Sequence, residues 1–404
     1  VATSLARKTG TPRTIASGKG TIVSVAHIQK ALQEQGLDGW LFYDFRGSDP
    51  LSYVILGMPR DVFRSRRWFY YVPATGKPVR IVHAIEPGAL DMLDGEKKIY
   101  LPWQQLHDHL RETLRGSRRI AMQYSPNNNI PYVARVDAGT LELIRSLGPE
   151  VVTSADLVSL FAATMDPAQE RSHHEAADAL GNTVLDAFRE IGRRAAAGKP
   201  ANEYEIQQFI LEQFERRGVV ADHAPIVGAD AHSADPHFET SNENPSLLKP
   251  GTWVLIDAWC KQKHPGAIYA DITWTGWVGD QVPAEIEQVF RVVRDARDAA
   301  VNFVADACKQ GRDVRGCDVD DACRAVIQRA GLGEYFIHRT GHSLHEAVHA
   351  NGANIDNLES RDERLLLPRT CFTVEPGVYL PGRFGVRSEI NVFMDGRQPV
   401  SYTH

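Results

Sequence analysis

Four carboxylates inside apolar, strand-like segments constrain the fold of this chain more than any other feature. Asp257 and Asp271 are 14 residues apart, and Glu375 and Glu389 have the same separation. Each pair encloses a turn that contains glycine and proline, which predicts two hairpins that each bring two carboxylates side by side. Burying several ionised carboxylates together is costly unless a cation neutralises them. Oxygen-rich ligand sets with a histidine suit Mn²⁺, Zn²⁺ or Co²⁺, so the pattern predicts a divalent-metal site.

The neighbours of these carboxylates add to the prediction. One face of a strand carries every second residue, which places Thr273 beside Asp271 and Arg387 beside Glu389. We expect Arg387 either to form an orienting salt bridge with Glu389 or to bind a substrate carboxylate. A single carboxylate of this kind would be interpreted as solvent-facing or as half of a salt bridge. Four of them in two matched pairs favour the metal site.

The length and the alternation of predicted elements indicate two α/β domains. A chain of 404 residues is too long for one ordinary core. Residues 22–165 alternate helix-like and strand-like segments without a dense cluster of metal-binding or nucleophilic side chains, which favours a structural or oligomerising domain. Asp166 and Pro167 have the residue types of a helix cap and a first helical position, so we place the second domain at residues 166–404. Residues 1–21 are predicted to form a flexible tail.

Charge and cysteine content limit the partners and the location. The net charge is −6 and no block of like charges occurs, so we expect no nucleic-acid and no membrane partner. No apolar run approaches the length that spans a bilayer. The five cysteines are scattered and none forms a C-x-x-C pair, which favours a reducing, cytoplasmic location.

Five segments resemble the motifs of the pita-bread metallopeptidases, the family of methionine aminopeptidases, aminopeptidase P and prolidases. They are LIDAW, YADITWT, GHSLHEAVHA, TVEPGVYL and GVRSEINV, in the chain order of that family. The resemblance implies a pita-bread catalytic domain at residues 166–404 and a creatinase/prolidase-type domain at residues 22–165. It also implies two divalent metal ions, with Mn²⁺ favoured and Zn²⁺ or Co²⁺ as alternatives. The implied metal ligands are Asp257, Asp271, His342, Glu375 and Glu389.

The same resemblance implies an activity. A hydroxide that bridges the two metals would attack an Xaa-Pro peptide bond, with Glu375 as the base that takes the proton from the water. His237, in the segment ADPHFET, and His349, seven residues after His342, are implied to bind the substrate and act in catalysis. We favour a dipeptidase (prolidase) acting on a small proline-containing peptide, with aminopeptidase P as the alternative. A homodimer is implied by the resemblance only.

Two other functions compete with this one. The sequence HEAVH at residues 345–349 spells the zincin motif, in which His345 and His349 bind zinc from one helix face and Glu346 is the base. Glycines at 341 and 352 leave little more than two turns for that helix, and the third histidine of the extended motif is replaced by Ile355. The other alternative is a non-peptidase enzyme or a binding module with the same fold, which the complete ligand set disfavours.

Overall fold

The computed structural model describes residues 24–403, so the tail predicted at residues 1–21 lies outside the described residues. The α-helices are α1 (Val25–Glu34), α2 (Pro50–Ile55), α3 (Trp103–Thr113), α4 (Ala138–Ser146), α5 (Ala155–Ala162), α6 (Pro167–Ala196), α7 (Glu203–Arg217), α8 (Ala284–Lys309) and α9 (Gly316–Arg329). The strands are β1 (Gly39–Asp44), β2 (Trp68–Pro73), β3 (Val79–His83), β4 (Glu96–Tyr100), β5 (Arg119–Met122), β6 (Glu150–Thr153), β7 (Val219–Val220), β8 (Ile226–Ala229), β9 (Trp253–Gln262), β10 (Ala270–Trp277), β11 (Ser343–Leu344), β12 (Cys371–Val374), β13 (Gly377–Leu380), β14 (Phe384–Arg387), β15 (Ile390–Asp395) and β16 (Gln398–Val400).

A mixed six-stranded sheet forms the N-terminal half, with the strand order β4-β3-β2-β1-β5-β6. Its central strand β1 is buried along its whole length because helices cover both faces of the sheet. Trp40 and Phe42 pack with α1, α2 and α5, whereas Leu41 and Tyr43 pack with α3 and α4. This alternation explains why the segment is apolar at every position.

The second half begins with two capped helices. The Asp166 side chain accepts hydrogen bonds from the first turn of α6, Gln169 completes a capping box, and Pro167 occupies the first helical position as predicted. Helix α7 has its own capping box at Asn202 and ends at Gly218, whose φ of 71° is in the left-handed region. The domain boundary at 165/166 coincides with the start of α6 and stays a prediction.

Two helix pairs enclose the strands of the second half. Helices α6 and α7 pack against β9 and β10 through one apolar cluster, and helices α8 and α9 pack against β12 to β15 through another. Strands β7 and β8 both pair with β9, which pairs with β10. The order β11-β12-β15-β16 forms a further sheet, and β13 and β14 form a hairpin. The chain is therefore α/β in both halves, as predicted.

Within residues 24–403, none of the helices combines the length and the apolar character needed to cross a membrane.

Candidate metal centre

The hairpin formed by β9 and β10 carries the first two carboxylates on one face. Thr273 lies opposite Asp257 in the antiparallel register, and Trp259 lies opposite Asp271. The two carboxylates are therefore diagonal neighbours rather than direct partners. Diagonal positions in a sheet are about 7–8 Å apart at the backbone, which long side chains can bridge.

The hairpin that contains the other two carboxylates sets them directly across from each other. Val374 pairs with Ile390 in the β12–β15 ladder, and Gly377 pairs with Arg387 in the β13–β14 ladder. Both ladders follow the same pairing register. Continued across the short gap between the two ladders, this register places Glu375 opposite Glu389. The sequence prediction that each hairpin brings its carboxylates together is thus met directly here and diagonally in the first hairpin.

A backbone hydrogen bond joins the two hairpins and brings their carboxylates together. The backbone N–H of Glu389 donates to the carbonyl of Thr273 at 3.1 Å, which joins the segment before β15 to the free edge of β10. Asp271, His342 and Glu389 each offer one atom that could bind a metal, and these three atoms lie within 4.8 Å of one another. All three residues are buried. His342 Nε2 is 3.6 Å from Asp271 Oδ2 and 3.4 Å from Glu375 Oε1. Four of the five predicted ligands therefore converge at His342 and Asp271.

The electrostatics of the cluster fit a bound cation. Asp271 Oδ1 and Glu389 Oε1 are buried and have no hydrogen-bond partner within the described residues. Burial, followed by the charges of neighbouring carboxylates, raises the pKa of Asp271 and of Glu389 well above their usual range. Unpaired buried carboxylate oxygens are rare because they forfeit their hydration. Divalent ions coordinated by these oxygens would remove both the repulsion and the unsatisfied acceptors.

Two threonines orient the glutamates. The Thr273 hydroxyl donates to Glu389 Oε2 at 2.7 Å, and the Thr373 hydroxyl donates to Glu375 Oε1 at 2.9 Å. Thr373 Oγ1 also accepts from the backbone N–H of His342 at 2.9 Å. Such partners fix the rotamer of a ligand before a metal binds.

Arg387 pairs with Asp257, not with Glu389 as the alternation had suggested. Its Nη2 donates to Asp257 Oδ2, and its Nε donates to the Thr273 hydroxyl at 2.9 Å. Its Nη1 donates to the hydroxyl of Tyr379 at 3.1 Å. All three guanidinium nitrogens thus have internal partners. These contacts favour the orienting role over the alternative role in substrate binding. Burial raises the pKa of Asp257, and Arg387 opposes that rise.

The histidines near the cluster differ in exposure. Burial holds the pKa of His342 well below its usual range, with His349 as the next cause, so its imidazole is neutral and can bind a metal. His349 is exposed, and its ring packs edge-on against that of His342 with the ring centroids 4.3 Å apart. His349 is therefore the more accessible of the two adjacent imidazoles, and its role in substrate binding stays a prediction.

His237 lies in an exposed loop. Its backbone N–H donates to Asp235 Oδ1 at 2.9 Å, and no contact described for residues 24–403 joins its ring to the ligand cluster. Residues on both sides of it, His232 and Phe238, line a small cavity together with Tyr379 and Arg387. The loop therefore borders the residues that orient Asp257, while the role of His237 stays a prediction.

The zincin alternative is wrong because the required helix does not form. After the short strand β11 the chain bends through residues 345–349, and the backbone N–H of His345 bonds to the carbonyl of Ala347. His345 and His349 therefore do not lie one helical turn apart. Burial lowers the pKa of His345 to about 4.

Two residues that support the centre were not predicted from the sequence. The hydroxyl oxygen of Tyr379 accepts a hydrogen bond from Arg387 Nη1, and the same oxygen lies 2.8 Å from His338 Nε2. Asn391 bonds to the backbone of Asp271. Its position could have been noticed, since it lies two residues after Glu389 in a buried strand and so shares its face. The contact of Tyr379 depends on tertiary packing.

The match of this sequence to one family model establishes the family. The family model described as metallopeptidase family M24 matches residues 172–395, which is more than half of the chain. This chain belongs to metallopeptidase family M24. The matched range contains the predicted metal ligands, which lie between residues 257 and 389.

Relatives of this M24 member include a probable dipeptidase and an Xaa-Pro dipeptidase. It is 32% identical over 216 residues to the probable dipeptidase PepE of Mycobacterium tuberculosis, covering 51% of this chain and 53% of that protein. The alignment thus spans about half the length of that relative. It is 26% identical over 353 residues to the Xaa-Pro dipeptidase of Lactobacillus delbrueckii subsp. lactis, covering 84% of this chain and 85% of that protein.

Solved structures show the same fold over nearly the whole M24 chain. Dipeptidase PepE from Mycobacterium ulcerans matches with a TM-score of 0.64 and 25% identity, covering 93% of this chain and 94% of that one. A prolidase from Thermococcus sibiricus matches with a TM-score of 0.59 and 22% identity, covering 94% and 96%. The pita-bread fold with an N-terminal α/β domain, predicted from the motifs, is confirmed.

Proposed function

We propose that this M24 member is a divalent-metal-dependent peptidase that hydrolyses the peptide bond before proline, with a dipeptide as the favoured substrate. The observation that carries the proposal is the buried cluster of Asp271, His342 and Glu389, in which two carboxylate oxygens have no hydrogen-bond partner among residues 24–403. The similarity to an Xaa-Pro dipeptidase over 84% of the chain supports the substrate class.

Five residues would hold two metal ions, Mn²⁺ in the favoured case: Asp257, Asp271, His342, Glu375 and Glu389. When bound, the ions would supply Lewis-acid activation of the scissile carbonyl and of the attacking water. Glu375 is the partly exposed member of this set, whereas the other four are buried. Glu375 can therefore exchange a proton with a water molecule and with the departing amine.

The remaining polar groups would position the substrate. His349, exposed beside His342, would donate to the carbonyl oxygen as negative charge develops there. We assign a similar contact to His237 from the loop that borders the site. Arg387 would hold Asp257 in its ligating rotamer rather than bind the substrate. We also propose that the domain boundary lies at 165/166, that the protein is a homodimer and that it is cytoplasmic.

A substrate panel tests the proposal. Metal-depleted protein is mixed with Xaa-Pro dipeptides or Xaa-Pro-Yaa tripeptides, and Mn²⁺, Co²⁺ or Zn²⁺ is added to separate samples. We expect cleavage of the dipeptides, with Mn²⁺ giving the highest rate. Exclusive cleavage of tripeptides would identify an aminopeptidase P instead. No cleavage of either class by the metal-loaded protein would contradict the proposal.

A further inference from the structure

A side chain, rather than a neighbouring strand, holds the backbone of Asp271. Among the strands that the structure describes, β10 pairs with β9 along one edge, and its other edge faces the segment that enters β15. At that edge the N–H of Asp271 donates to Asn391 Oδ1 at 3.1 Å. The carbonyl of Asp271 accepts from Asn391 Nδ2. One amide thus satisfies both backbone groups of a predicted metal ligand.

The chemistry of the two contacts fixes the orientation of the amide. A backbone N–H requires an acceptor and a carbonyl requires a donor, so exchanging Oδ1 with Nδ2 would break both hydrogen bonds. An amide carries one acceptor and one donor group in the arrangement of a peptide unit. The Asn391 side chain therefore replaces one rung of a β-ladder at a point where the two sheets do not pair continuously.

Asn391 is itself held from both sides. It is fully buried, and its backbone N–H donates to the Thr403 hydroxyl at 2.7 Å. In the β12–β15 ladder it lies opposite Thr373, the residue that bonds Glu375 and His342. Asn391 is thus the fixed element between the strand that carries Asp271 and the strand that leads to Glu375.

We propose that Asn391 is a positioning residue for metal binding. By fixing both backbone groups of Asp271, it holds the carboxylate of that residue next to His342 and Glu389. Without the amide, the free edge of β10 would lose this connection, and the N–H and carbonyl of Asp271 would be buried without partners. The inference rests on the proposed metal site, and it does not depend on which peptide is cleaved.

Metal titration tests this role without using activity. Mn²⁺ binding to metal-depleted protein is measured by calorimetry, and the visible absorption of the Co²⁺-loaded protein reports the coordination geometry. Loss of a residue that supports a metal ligand typically weakens metal affinity about 10–100-fold. We expect a weakening of this size in Asn391→Leu, with an altered Co²⁺ spectrum. Asn391→Thr, whose short hydroxyl cannot reach both backbone groups, provides the measurement if the leucine variant does not fold.

Gln123→Leu is the matched control. Gln123 is also a buried amide with hydrogen bonds from Trp40 and to Ser52, but it belongs to the first sheet and has no contact with the ligands. Its loss should leave the Mn²⁺ affinity and the Co²⁺ spectrum unchanged. Folded Asn391 variants with wild-type affinity and spectrum would overturn the inference, as would a wild-type protein that binds neither ion. Wild-type protein that binds both ions but cleaves no Xaa-Pro peptide contradicts only the proposed function.

Discussion

Removal of metal is expected to invert the stability order of the wild-type protein and the Asp271→Asn variant. Burial first, and then the charges of Asp257 and Glu375, raise the pKa of Asp271 well above its usual range. In metal-free protein at neutral pH, an ionised Asp271 therefore destabilises the folded state. Asparagine has nearly the same shape and carries no charge, so the variant avoids this repulsion. The same substitution removes a predicted metal ligand.

The sign of the pH dependence follows from the direction of the pKa shift. A carboxyl whose pKa is higher in the folded than in the unfolded protein binds protons more tightly when folded. The free energy of unfolding then decreases as the pH rises from the usual aspartate pKa toward the raised value, by up to about 1.4 kcal/mol per pH unit for each such group. The metal-free variant, which has no titrating carboxyl at this position, should therefore be more stable than the metal-free wild type at pH 7.5. The advantage should be smaller at pH 4.5.

Metal reverses the stability order of the two proteins, because it binds the folded wild-type protein. At a free Mn²⁺ concentration of about 100 times Kd, the wild-type protein gains about 2.7 kcal/mol. The variant should gain much less. Urea unfolding followed by circular dichroism, at pH 4.5 and 7.5 with and without Mn²⁺, measures all four differences. A metal-free variant that is no more stable than the wild type at pH 7.5, or equal stabilisation of both proteins by Mn²⁺, would contradict this prediction.

Three further substitutions separate the roles of individual residues. Glu375→Gln should lower kcat for an Xaa-Pro dipeptide by about 10²–10⁴-fold, because the proposed proton acceptor is lost, and a rate near that of the wild type would rule out this role. His345→Ala should keep the wild-type kcat/KM, since this residue lies outside the ligand cluster; an inactive, folded variant would speak against that placement. Arg387→Met should lower the free energy of unfolding of the metal-free protein by about 3–5 kcal/mol, because it leaves Asp257 buried without its ion pair. Urea unfolding checks this value, and an unchanged midpoint would show that Arg387 does not hold Asp257.

The sequence pointed to the carboxylates and the histidine that the structure brings together because each of them lies in a local pattern, and their role as metal ligands stays a prediction. Asp271 and Glu389 are charged residues inside apolar strands, and His342 lies in a motif that resembles a known one. The partner of Arg387 could not be predicted in this way. Alternation along its own strand suggested Glu389, but tertiary packing brings its guanidinium to Asp257, which is 130 residues away in the chain.

The failed zincin pattern has a similar explanation. Five letters at residues 345–349 match the motif, but the motif binds zinc only when a helix brings its two histidines to one face. Here β11 pairs with β12, and this pairing extends the chain just before His345. The carbonyl of His345 also accepts from the backbone N–H of Tyr269 at 3.0 Å, so this segment bonds to a neighbouring part of the chain instead of forming helical hydrogen bonds.

Titration of metal-free protein with Mn²⁺, while hydrolysis of an Xaa-Pro dipeptide is followed, measures metal binding and peptidase activity in one experiment. We expect no cleavage without metal and a rate that saturates when about two ions are bound per chain, as expected for a two-metal site. We also expect no cleavage by Asp271→Asn at the same metal concentrations. Hydrolysis by the metal-free protein would contradict the proposed metal dependence. A wild-type rate in the Asp271→Asn variant would contradict the role of Asp271 as a metal ligand.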